Sequence, residues 1–355
     1  MTPNSLFDNT EIAFSLKSDS ELERAYFLFK MISIEPLVRI GTAATNFALN
    51  LHLPVEGLIR STVFDHFCGG VNEKDCMPVV DSLLKAGVFS VLDYSVEGKS
   101  EDAQFVLTTQ KVNELTSFAK DKTAMPFSVF KPTGIGRIGI WEKVTKKESL
   151  TTSEQEAWQH INARYDEICS KAAQSDISLL IDAEEYSMQE AADNLCERMM
   201  EKYNQEKAIV FNTLQCYRWD RLDYLKQQHS RAKAKGYKLG FKIVRGAYME
   251  KENERAQVHN YKSPICESKE ATDANFNAVI RYIFDHLDDI SLFLGTHNEE
   301  SSSLAIQIMK EKGISRDNSR VWFGQLYGMS DHLTFNIASQ GYNAAKYIPF
   351  GPVKD

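Results

Sequence analysis

Six side chains capable of chemistry stand at or near the ends of short apolar runs, where strands would deliver them to one rim. Lys131 follows Phe127–Phe130, Asp182 follows Leu179–Ile181, and Gln215 closes Ile209–Leu214. Lys242 and Arg245 lie within Gly240–Tyr248, and His297 follows Leu292–Thr296. A lysine at a strand end is more often a surface or salt-bridged residue. In a barrel mouth, a desolvated ammonium there orients a substrate or holds negative charge on a cofactor. Asp182 belongs at the same rim, within ion-pairing reach of Lys131, while Glu185 reads as a solvated helix start or N-cap. The Gln215 amide both donates and accepts, as carbonyls and ring nitrogens require. Lys242 and Val244 alternate with Ile243 and Arg245 before the Gly246-Ala247-Tyr248 loop, and Gly246 permits close backbone approach to a ligand. Two basic groups beside a glycine suit a polyanionic or electron-rich cofactor. A lone histidine is usually a satisfied core residue. Thr296, His297 and Asn298, however, precede a helix start at Glu299–Ser303 and so could line an anion site.

Positioning these groups takes a scaffold whose strands all end on one face. Eight apolar runs supply it, beginning at Ser90, Phe127, Leu179, Ile209, Leu239, Leu292, Val321 and Ala345, with the shortest step 24 residues, from Val321 to Ala345. Between them lie helical patterns such as Met188–Tyr203, Arg221–Lys235 and Ala271–Leu287. Another helix starts at Thr151–Ser153 with Glu154, and its stripe is Trp158, Ile161, Tyr165 and Ile168. Runs alternating with helices predict a parallel sheet, and eight predict a closed (βα)8 barrel. The longer steps after Phe127 and Leu239 leave room for insertions. Residues 1–88 read as a helical arm packed onto a barrel of residues 89–355. Ser20 or Asp19 would cap its helix ELERAYFLFKMI, with Leu22, Tyr26, Phe29 and Ile32 at helical spacing.

Other chemistries find little support. Gly134-Ile135-Gly136-Arg137-Ile138-Gly139 matches G-x-G-x-x-G, but charge-laden Trp141–Lys147 offers no clean helix face, so the motif reads as a glycine-rich loop. Neither H-E-x-x-H nor G-x-S-x-G occurs, and no metal is expected. The 355 residues carry a net charge of −8, which argues against a nucleic-acid partner. The six cysteines form no C-x-x-C pair and read as reduced thiols. The absence of a membrane-length apolar stretch or a visible targeting peptide points to a cytoplasmic chain.

Taken in order, DYSVEGK, FKPTGIG, LLIDAEE, TLQCY, KIVRGAY, GTHNEES, FGQLYGM and KYIPFGP resemble the ordered motifs of the proline dehydrogenase family, in its monofunctional form. The likeness runs from Phe67 to Pro352. It implies a distorted TIM-like barrel that binds FAD without a Rossmann domain. It further implies oxidation of L-proline to Δ1-pyrroline-5-carboxylate by hydride transfer to flavin, with electrons passed to a membrane quinone. Peripheral association with the inner face of the cell membrane would follow. Carried over by motif, Lys131 and Asp182 lie beside substrate and flavin, and Gln215 contacts the flavin pyrimidine. Lys242 stands where the family often has an arginine near the flavin N5. Val244, Arg245, Gly246 and Ala247 line flavin and phosphates, with Thr296 and His297 nearby, and Lys269 and Thr272 reach the adenosine half. Tyr248, Leu326 and Tyr347 wall the proline ring, with Tyr248 counted beside Lys131 and Asp182 among the catalytic residues. Glu97 pairs with an arginine that closes the pocket. That arginine belongs to an Arg pair on a final helix that grips the proline carboxylate. No Arg-Arg pair occurs here, so the chain is expected to stop short of that helix. A non-catalytic flavin-binding barrel, or a flavoenzyme for another cyclic imino acid, is the alternative.

Overall fold

The computed structural model describes residues 6–34, 36–38, 41, 57, 60–94 and 101–352. Eight parallel strands close into a barrel in sequence order. They are β1 (Val88–Tyr94), β2 (Phe127–Phe130), β3 (Ser178–Ile181), β4 (Val210–Gln215), β5 (Leu239–Val244), β6 (Ile290–Gly295), β7 (Val321–Leu326) and β8 (Ala344–Phe350). β1 pairs with β8 along its whole length, from Val88–Ala344 to Tyr94–Phe350, but with β2 only at Val91–Phe127. The closure is therefore asymmetric, and the β1–β2 seam is the loosest.

Side-chain alternation divides each strand between two cores. Outward residues such as Leu179, Ile181, Leu239, Phe241, Ile243, Leu292, Leu294 and Phe323 pack under the helices. Inward residues Val91, Phe127, Val129, Leu180, Phe211, Phe293, Ala345 and Tyr347 fill the barrel. Phe127 sits at the centre of this plug, edge-on to Phe211, Phe293 and Trp322 at 6.0, 5.1 and 5.0 Å. Continued past this apolar layer, the same alternation aims Asp93, Lys131 and Asp182, each two residues after a plug residue, at the mouth together with Lys242 and Gln215.

The two longer connections each carry an extra helix. Ile138–Thr145 precedes the β2–β3 helix Thr152–Ser175, and Met249–Val258 precedes the β5–β6 helix Lys269–Asp285. Helix Thr152–Ser175 opens with the expected capping box between Thr151 and Glu154. Ile161, Tyr165 and Ile168 are buried and Trp158 is half-buried.

Two expectations change. Trp141–Lys147, read as offering no clean helix face, lies largely in a helix, Ile138–Thr145, which takes in the last two residues of the glycine motif and buries Ile140 and Trp141. The flanking charges hid a short apolar face, and Trp141 anchors it by donating from Nε1 to Gly136 O at 3.2 Å. Gly136 is small for packing, since a Cβ there would stand 2.3 Å from Ile161. In the arm, helix Asp19–Ile32 is capped by Ser18 rather than Ser20 or Asp19, with Glu21 completing the capping box. None of its residues is buried, so the Leu22–Ile32 stripe does not supply a buried seam among the described residues. Docking falls instead to the segment before it. Phe7 and Ala13 are buried, and Asn336 Nδ2 donates to Phe7 O and Asn9 O at 3.3 and 3.2 Å.

Candidate active site

Four charged side chains and a phenol meet above the aromatic plug. Lys131, just past β2, lies 3.3 Å from Asp93 Oδ2 on β1 and 3.4 Å from Asp182 Oδ2 just past β3. The Lys242 ammonium on β5 pairs with Asp182 Oδ1 and donates to the Tyr347 phenol at 3.1 Å. Tyr347 in turn donates to Asp182 Oδ1 at 3.2 Å, and Lys242 lies 4.8 Å from its ring centroid. Two carboxylates and two ammoniums thus balance, and Asp93–Lys131 ties the β1–β2 seam that backbone pairing leaves weak.

Burial raises a carboxyl's pKa and nearby ammoniums lower it. At Asp182, burial pushes the pKa up, but Lys242 and Lys131 together hold it below the ordinary value. At Asp93, burial wins over Lys131, and the Asp182 charge adds to the rise. Glu184 is buried, and that burial raises its carboxyl from 4.5 to about 7 against the pull of Thr133. Its Oε2 accepts from Thr133 N at 2.8 Å, its backbone carbonyl accepts from Gln215 Nε2 at 3.0 Å, and its N–H donates to Gln189 Oε1 at 2.8 Å. Glu184 therefore ties together the loops after β2 and β3 and the end of β4. Glu185 stands at the N-cap of helix Tyr186–Tyr203, as expected, but its side chain makes no cap hydrogen bond and pairs with Lys251 at 2.7 Å.

A second cluster lies beyond the end of β5. Arg245 donates to Asp273 Oδ1 at 2.8 Å, Thr296 Oγ1 at 2.9 Å and Ser301 Oγ at 3.1 Å, and stacks 4.4 Å from the Phe276 ring centroid. Lys269 joins it through Asp273 Oδ2 at 2.7 Å. Thr272 Oγ1 donates to Ser268 O at 3.1 Å, one turn away. Thr296 and exposed His297 precede helix Glu299–Glu311, whose N-cap Asn298 accepts from Ser301 N. The helix N-terminus, Arg245 and Lys269 thus stand at one rim, with Asp273 bridging the two cations.

The sequence-derived residues therefore separate into these two groups, with the rest on the rim. Val244 and Tyr248 are half-buried, Gly246 and Ala247 are exposed, and Leu326 is 44% exposed. Glu97 lies outside the described residues. Asp93, Glu184 and Asp273 were not singled out, although each had a signal. Asp93 comes two residues after inward Val91, Glu184 sits in the acidic run beside Asp182, and Asp273 stands four residues from Lys269. Among the described residues no group of His, Cys, Asp and Glu could hold a metal ion. All six cysteines are free.

Residues 76–355 match the family model described as proline dehydrogenase. The chain is 32% identical to the carbapenem antibiotics biosynthesis protein CarD of Pectobacterium carotovorum, over 84% of this chain and 77% of that protein. It is 30% identical to mitochondrial proline dehydrogenase 1 of Arabidopsis thaliana, over 96% of this chain and 78% of the relative. Among solved structures, proline utilization A from Bdellovibrio bacteriovorus superposes with a TM-score of 0.72 at 17% identity, covering 98% of this chain and 35% of that one. That structural likeness speaks for the barrel alone. The chain belongs to the proline dehydrogenase family and is a proline oxidoreductase built on a (βα)8 barrel.

Proposed function

We propose that this chain binds FAD across the barrel mouth and oxidises L-proline to Δ1-pyrroline-5-carboxylate, passing the electrons to a membrane quinone. The observation that carries the reading is the charge-balanced Asp93–Lys131–Asp182–Lys242 cluster with Tyr347 above an apolar plug, in a chain of this family. The donor chemistry of the second cluster fits a dinucleotide. Arg245, Lys269, Thr296 and the start of helix Glu299–Glu311 would hold the phosphates and adenosine half, with Thr272 beside them. Gln215 and Lys242 would meet the isoalloxazine edge, and Val244, Gly246, Ala247 and His297 would line it.

The flavin, when bound, supplies the hydride acceptor. The protein's part is orientation and electrostatics. Lys131, pinned between Asp93 and Asp182, presents a fixed positive charge toward a substrate carboxylate. Asp182 holds Lys131 and Lys242 in place and stays ionised, because both ammoniums act on it. Tyr347, Tyr248 and Leu326 offer apolar surface to a five-membered ring. Glu97, outside the described residues, is proposed for substrate binding from the family motif alone.

No described helix is long and apolar enough to cross a membrane. Peripheral association is proposed through helix Asp19–Ile32, where Tyr26, Phe27, Phe29, Met31 and Ile32 are exposed. The experiment is to load the protein with FAD and follow flavin absorbance on adding L-proline without an electron acceptor, then with a quinone. Proline-dependent bleaching restored by quinone is expected. Failure to retain flavin would refute the reading, and flavin binding without bleaching would make the chain a non-catalytic flavin barrel.

A further inference from the structure

Lys346 neighbours Tyr347 on β8, and because Tyr347 faces the barrel, Lys346 faces outward toward helix Asp331–Ser339. It has no exposed surface. A buried ammonium is tolerated only when paired and fully hydrogen-bonded. Here its three hydrogens meet three acceptors: Leu326 O at 3.3 Å, Met329 O, and the Asp331 carboxylate at 2.8 Å. The three span the turn between β7 and the next helix: Leu326 ends the strand, Met329 lies in the turn and Asp331 begins the helix. Burial lowers the lysine's pKa, and Asp331 opposes that.

The turn so gripped is an unfavourable one. Gly328 has φ +76°, and Ser330, which is not glycine, has φ +52°. A Cβ at Gly328 would lie 2.3 Å from His66 O. The same turn is held from the other side, since His66 Nε2 meets Gly328 O at 3.0 Å and Ser330 Oγ meets His297 Nδ1 at 2.8 Å. Leu326 is the register partner of Tyr347, and Tyr327 N donates to Tyr347 O at 2.8 Å. The turn, the pocket wall and the phenol of the charged cluster are therefore one connected unit.

We propose, resting on the proline site proposed above, that Lys346 is a positioning residue for substrate binding: its buried ammonium fixes the Tyr327–Ser330 turn and so holds Leu326 and Tyr347 against the substrate ring. Lys346 touches neither substrate nor cofactor. It acts on binding shared by ground and transition states, so its loss raises KM and leaves kcat.

The test is K346M in the full, FAD-loaded chain. Methionine fills the space but takes the ammonium from Met329 O and the Asp331 carboxylate, while Leu326 O keeps Met329 N at 3.2 Å. Amide exchange across 327–333 should quicken at least about tenfold while helix Thr152–Ser175 exchanges as in the parent. KM for L-proline should rise about tenfold with kcat within about twofold. D331N, which keeps the ammonium and both carbonyl contacts, should move both readouts the same way by about threefold. It decides the matter if K346M does not fold. Unchanged loop exchange and KM in the folded variants would overturn the proposal, as would a fall in kcat at constant KM. Exchange is read without turnover. A parent protein that ignores proline would therefore refute the proposed function, while the exchange result still decides whether Lys346 holds the turn.

Discussion

Replacing Glu184 with Gln tests the electrostatics of the mouth by a difference measurement. Glu184 is 7% exposed and its carboxyl is raised from 4.5 to about 7, chiefly by burial. The sign follows from proton counts. Between these values the folded chain keeps the proton and the unfolded chain has lost it, so stability falls as pH rises. The full difference, 7 minus 4.5, is about 2.5, which at about 1.4 kcal/mol each amounts to about 3 kcal/mol. Glutamine imitates the protonated acid. Its oxygen accepts from Thr133 N, its amide donates to the Thr133 hydroxyl, and the backbone carbonyl still receives Gln215. It cannot titrate, so the E184Q chain should lose that pH dependence. Urea unfolding of both proteins from about pH 5 to about pH 8 should show the stability of E184Q relative to the parent rising by about 2–3 kcal/mol. Asp93, Asp182 and Glu252 titrate in both chains and largely cancel. A relative stability that stays flat, or falls as pH rises, would refute the assignment of a neutral buried acid at this position.

K242M removes one of the two ammoniums facing Asp182 and should cost about 3 kcal/mol in chemical unfolding. Because Asp182 is held below the ordinary carboxylate value, that deficit should be present above this range and shrink as pH falls through it. Y347F removes the hydroxyl between Lys242 and Asp182; kcat/KM for proline should fall about tenfold, with a stability loss of about 1 kcal/mol. G136A drives a Cβ to 2.3 Å from Ile161 and should destabilise by about 1–3 kcal/mol, while flavin retention, followed by fluorescence, stays unchanged. Weakened flavin binding there would return the glycine motif to the ligand site.

Much of the barrel was legible because its signals are local. An apolar run with a polar residue at its end specifies a strand and its rim residue together, as in Leu179–Asp182, and Arg221–Lys235 appears as a helix with the same bounds. The Trp141 helix escaped because a short buried face among charges has no visible period. The cap of the arm helix fell two residues before Ser20 because several polar residues compete there, and only hydrogen bonds choose Ser18. Asp93 was overlooked although its strand was recognised, because which strands become neighbours is not a local property.

By itself the sequence determined the number and order of the strands, the residues that reach their ends, and the motifs that place the chain in its family. Period-2 and period-3.6 patterns are set by nearest neighbours along the chain. Beyond Lys131 and Asp182, whose pairing follows from adjacent strand ends, the tertiary structure decided who meets whom. Closing β1 onto β8 and β2 brings Asp93 to Lys131, and closing β5 and β8 across the plug brings Lys242 and Tyr347 to Asp182. The charge balance, the opposite shifts of Asp93 and Asp182, and the three-point grip of Lys346 all depend on distances across the barrel or its outer layer. Electrostatic energy follows spatial separation and burial, and neither is written in spacing along the chain.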